Sequence, residues 1–128
     1  MHANDIAWGI EIETTLPTTD TTPIGGYHRG IPVAWLPDGW KAERDGSIRP
    51  QARGRKGCEF VGPKSRGYDG LAGVIEAVER IRERGARVNP TCGIHYALLG
   101  IMRTLQRRPK EYMGIWRLGD VLGSDYCT

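Results

Sequence analysis

The run Gly9-Ile10-Glu11-Ile12-Glu13 constrains this chain more than any other feature. Its apolar and acidic residues alternate with period two. On a strand, Ile10 and Ile12 point to one face and Glu11 and Glu13 to the other. The isoleucines can pack on a core. The two glutamates then lie side by side and repel each other unless a positive group sits between them. A divalent cation answers that requirement, and hard cations such as Mg²⁺ take oxygen ligands. An isolated Glu-x-Glu also fits the solvated outer face of an edge strand. Three later segments each bring a polar group to a strand-like run: Asp45-Gly46-Ser47, Gly57–Pro63 with Glu59, and Cys92–His95.

With 128 residues the chain suits a single domain, and 39% hydrophobic content implies a modest core. Eighteen glycines and eight prolines predict many turns. No apolar run approaches the ~20 residues of a membrane span. The first residues carry no basic flank and no apolar core of a signal peptide, so a cytoplasmic setting is expected. Cysteines 58, 92 and 127 form no Cys-x-x-Cys pair and are expected as reduced thiols. Cys92-x-x-His95 has no second compact partner pair, which argues against structural zinc.

The net charge of +3 is unevenly spread, with eight bases against three acids in residues 41–66. That section, with the Arg103/Arg107/Arg108/Lys110 cluster, suits a small basic module that binds nucleic acid. The overall charge is too small to require one, and nucleic acid is not the expected partner.

The pattern predicts a first strand at 6–13, then a long loop at 14–30. Short strands are expected at 31–35 and 40–43 around Pro37-Asp38-Gly39, with a continuation at 47–49 and a strand at 58–61 halted by Gly62-Pro63. Leu71, Val74, Ile75, Val78 and Ile81 recur at helical spacing, which predicts a helix over 71–84 with Asp69 as cap and Gly85 as stop. A strand is expected at 91–96. Residues 96–108 suit a helix up to Pro109.

GIEIE at 9–13, GWKAERDGSI at 39–48, GCEFVGP at 57–63 and NPTCGIH at 89–95, in that order, resemble the amidoligase family. This is a branch of the carboxylate–amine ligases with a glutamine-synthetase-like catalytic domain. The resemblance covers roughly the first three quarters of the chain. It implies an α+β fold, a curved antiparallel sheet with one main helix packed on it, with the single domain 1–128 as the N-terminal portion of such a catalytic domain. It implies an enzyme that uses ATP and Mg²⁺ (or Mn²⁺) to phosphorylate a carboxylate; an amine then attacks the acyl phosphate. The partners would be a small-molecule carboxylate and amine, or a peptide or protein amine.

The same resemblance marks Glu11, Glu13 and Glu59 as metal ligands, with Glu59 and His95 as catalytic groups. It marks Asp45, Ser47 and Gly93 as cofactor-binding positions, Gly93 by allowing close backbone approach. Asp45 and Ser47 also suit a simple turn, and His95 a structural histidine. The family's His-x-His pattern meets Ala97 here at its second position. Residues 97–128 read as a divergent or truncated tail. A partner chain or a further C-terminal half is then expected to complete the site, and turnover by this chain alone to be weak. An inactive remnant of the fold is the alternative.

Overall fold

The computed structural model describes residues 6–98 and 113–116. They form a mixed α/β arrangement: an antiparallel sheet and, among the described residues, one helix. The strands are β1 (Ala7–Pro17), β2 (Ile31–Pro32), β3 (Lys41–Glu43), β4 (Arg55–Val61), β5 (Ser65–Arg66), β6 (Ile94–Leu98) and β7 (Met113–Trp116). The helix α1 is Asp69–Glu83. Sheet order is β2-β3-β4-β1-β6-β7, with β5 paired to the start of β1.

β1 is therefore a central strand, flanked by β4 and β6. The alternative of a solvated edge strand fails here, because Glu13 is only 3% exposed. β1 also runs four residues beyond the expected end at Glu13. Thr14 and Thr15 are β-branched and suit the pleat, and both are fully buried. Their hydroxyls donate to the carbonyls of Cys58 (3.0 Å) and Arg87 (3.3 Å), so hydrophilic composition did not mean loop.

The core face follows from the alternation. Ile12 lies opposite Phe60 on β4 and Ile94 on β6, and Phe60 lies opposite Ala42 on β3. Phe60, Ile12, Leu16 and Cys58 are all within 1% of complete burial. Each large side chain hidden this way stabilises the fold by roughly 1.5–3 kcal/mol.

α1 covers this face through Val74, Ala77, Val78 and Ile81. That stripe differs from the expected one: Ala77 is fully buried, whereas Leu71 and Ile75 are 44% and 61% exposed. The small Ala77 side chain lets the helix approach the sheet, which turns Leu71 and Ile75 to the margin. Asp69 is the first helical residue rather than the cap; Tyr68 holds the cap position and makes no side-chain capping bond. Gly85 does end the helix, at φ +86°.

Other boundaries shift for local reasons. The strand expected at 31–35 shortens to Ile31–Pro32, after which Val33 N–H reaches across the Pro37–Gly39 turn to the carbonyl of Trp40. Residues 47–49 form no strand, because Asp45 closes a turn there. Tyr96, Ala97 and Leu98 belong to β6, not to a helix. Residues 99–112 and 117–128, which hold most of the expected tail and the Arg103–Lys110 basic cluster, lie outside the described residues. No described helix is long and apolar enough to cross a membrane.

Candidate metal and substrate site

Opposite residues on adjacent antiparallel strands share a face. Glu43 pairs with Glu59, and Glu59 with Glu13, which sets three carboxylates in a row across β3, β4 and β1. Two residues earlier on β1, Glu11 pairs with His95 on β6. The sheet register alone thus collects residues from four strands on the face opposite the core.

The side chains meet. One nitrogen or oxygen from each of Glu11, Glu59 and His95 lies within 4.8 Å of the others. The same holds for Glu13, Asp45 and Glu59. Glu59 belongs to both groups. The His95 ring spans two carboxylates, with Nδ1 3.6 Å from Glu11 Oε2 and Nε2 3.4 Å from Glu13 Oε1. Those two contacts fix the ring's orientation.

Burial makes the cluster electrostatically costly. Desolvation, the charge of Glu11 and hydrogen bonds to Glu43 and Asp45 push the Glu59 carboxyl up to about 9. Desolvation also raises Glu13, against the opposing pull of His95 and a backbone hydrogen bond from Gly93. Burial would raise Asp45 too, but hydrogen bonds from the Ser47 hydroxyl and backbone outweigh it, and this carboxyl sits below its ordinary value. Carboxylates forced together in this way are relieved by a cation.

The donor set fits a hard divalent ion. Octahedral Mg²⁺, with ligands at about 2.0–2.1 Å, places its donors roughly 2.9–4.2 Å apart. Both three-residue groups fall within reach of that spacing. Glu11, Glu59 and His95 could hold one ion, and Glu13, Asp45 and Glu59 a second, with Glu59 common to both.

The expected site residues thus divide. Glu11, Glu13, Glu59, His95 and Asp45 come together. Gly93 lies beside them, its carbonyl accepting the Glu13 N–H at 3.0 Å. Ser47 is exposed, and its hydroxyl donates to Asp45 Oδ1 at 2.7 Å, so it sets the turn. Asp45 does both jobs: it caps that turn and joins the cluster. The basic residues divide as well. Arg55 donates to the carbonyls of Thr15 and Gly85, and Lys56 to that of Asp20, so both are tied into the framework. Cys92 is buried with its thiol 3.7 Å from Asn89 Oδ1, and it is in neither three-residue ligand group.

Glu43 was missed. It is 8% exposed and hydrogen-bonds Glu59. Its spacing to Asp45, Glu-x-Asp at a strand end, repeats the Glu-x-Glu logic of β1 and was the available signal.

Fold and site together define an α/β domain with a partly buried carboxylate cradle on one sheet face. The chain belongs to the family described as "Putative amidoligase enzyme", whose model matches residues 19–116. No curated protein and no solved structure matches it. The matched stretch contains Asp45, Glu59, Gly93 and His95 but begins after Glu11 and Glu13. Those two are joined to the site by the pairing of β1 with β4 and β6.

Proposed function

We infer that this domain catalyses Mg²⁺- and ATP-dependent joining of a carboxylate to an amine through an acyl phosphate, on a glutamine-synthetase-like framework. The observation that carries this reading is the convergence of Glu11, Glu13, Asp45, Glu59 and His95 into two ligand groups sharing Glu59. Family membership supplies the reaction class.

A divalent cation, when bound, neutralises the phosphate oxygens on which negative charge builds during phosphoryl transfer. The chain's own residues do the rest. Glu11, Glu13, Asp45 and Glu59 present oxygen donors from rigid strands and one pinned turn, which limits reorganisation as charge develops. Glu43 holds Glu59 in place by hydrogen bonding. Glu11 and Glu13 orient His95; with one ring nitrogen given to an ion, the other could hold the proton released as an ammonium becomes the attacking amine.

Two measurements test this reading. Mg²⁺ or Mn²⁺ should raise the thermal midpoint of the wild type, and raise it less in Glu11→Ala and Glu59→Ala. Phosphate release from Mg²⁺–ATP should increase when pooled amino acids and amines are added, and that increase should vanish in Glu13→Ala. Equal metal-induced shifts in wild type and variants, or amine-dependent turnover indifferent to Glu13→Ala, would refute the assignment.

A further inference from the structure

Two hollows flank the carboxylate cradle, and they differ in size and charge. The larger, about 510 Å³, lies where β4 runs on past its pairing with β3. Thr22, Ile24, Arg44, Asp45, Lys56 and Gly57 are among its walls. It therefore carries two cationic residues and one carboxylate. The smaller, about 190 Å³, is bordered by Glu11 and His95, with Gly9 and Ala97 at its rim and no lysine or arginine among the described residues. Both touch the cradle, the first through Asp45 and the second through Glu11 and His95.

We propose that the larger hollow receives the base and sugar of the nucleotide, with the phosphates leading past Asp45 into the cradle, and that the smaller hollow receives the amine. This deepens the ligase reading and rests on it. Three observations favour it. The larger hollow falls within the roughly 300–1,000 Å³ typical of small-molecule sites, and the smaller falls below it. Its apolar walls, Ile24 and Ile48, suit the faces of a base. Arg44 is exposed, and its guanidinium makes no hydrogen bond or ion pair among the described residues, so it is available to an anionic ligand. By contrast, the ionisable residues among the described lining of the smaller hollow are Glu11, His95 and Tyr96, with Glu11 the one carboxylate, a setting that suits an ammonium better than a polyphosphate.

Two glycines allow a direct test. Gly46 lines the larger hollow and Gly9 the smaller. A Cβ at either would meet nothing within 4 Å, and neither has a positive φ. Gly46→Leu should therefore fill the larger hollow, and Gly9→Leu the smaller, without straining the fold. The probe is Mg²⁺–ADP, with binding measured by calorimetry and folding by thermal midpoint in Mn²⁺. Gly46→Leu should weaken ADP binding by about tenfold or more while keeping the Mn²⁺-induced shift. The exposed Arg44→Glu should weaken it severalfold, more at low salt than at high salt. Gly9→Leu should leave ADP affinity within about twofold of wild type. ADP binding lost in Gly9→Leu but kept in Gly46→Leu and Arg44→Glu would overturn this assignment and leave the ligase reading standing. Wild type that binds Mn²⁺ but no Mg²⁺–ADP would overturn both.

Discussion

Glu59→Gln should separate the electrostatic cost of the cradle from its packing. Glu59 is 5% exposed, and its carboxyl is pushed up to about 9 by burial, by Glu11 and by its hydrogen bonds to Glu43 and Asp45. In the unfolded chain the same group titrates near its ordinary value of 4.5. Between those values the unfolded state releases a proton that the metal-free folded state retains, so folding stability falls as pH rises. The contribution is fully present below about pH 4.5 and is lost progressively toward about pH 9. Each pH unit inside that window removes at most about 1.4 kcal/mol, so roughly 2–3 kcal/mol should disappear between pH 5 and pH 7. The glutamine amide is neutral throughout and can donate to Glu43 or Asp45 as the protonated acid does. In EDTA, urea denaturation of the wild type should therefore show a falling stability over this range. Glu59→Gln should fall less steeply by about that 2–3 kcal/mol, keeping the shallower decline due to Glu13. Adding Mg²⁺ should stabilise the wild type more at pH 8 than at pH 5, because ligation requires the ionised carboxylates. Parallel stability–pH curves for the two proteins in EDTA would show that Glu59 ionises normally and that the cradle is not strained.

Two further outcomes follow from the core. Phe60 is completely buried between Ile12 and Ala42, so Phe60→Ala should cost about 3–5 kcal/mol in urea denaturation; a loss under 1 kcal/mol would mean that this face packs loosely. Burial pushes the Cys58 thiol up to about 12. Iodoacetamide at pH 8 should therefore modify Cys58 far more slowly in the native protein than in urea, and equal rates by peptide mass analysis would place Cys58 outside the core.

The sequence showed the chemistry of the site more readily than the layout of the fold. Glu11, Glu13 and Glu59 were legible because period-two alternation fixes the face of every residue on a strand. His95 was legible only in the company of those acids. Glu43 was overlooked because one short, three-residue strand offers too little periodicity to reveal a face. The extension of β1 through Thr14 and Thr15 was hidden by composition: Thr, Pro and Gly read as loop, whereas threonines with bonded hydroxyls suit a buried strand. The exposed Leu71 and Ile75 show a different limit. Helical spacing defines a stripe, but which edge of that stripe meets the sheet is decided by the partner, here through the smallness of Ala77.

The position of β1 has consequences for how this protein can vary. Its odd-numbered residues Glu11 and Glu13 serve the cradle, and its even-numbered residues Ile12 and Leu16 serve the core. Inserting or deleting one residue between Gly9 and Leu16 would exchange the two roles, sending isoleucines toward the ligands and glutamates toward Phe60. Neighbours on both sides leave the strand no free edge along which to slide and recover. Length changes in a lineage of such chains should therefore fall in the turns around 18–30 and 50–54, while this one strand keeps its count.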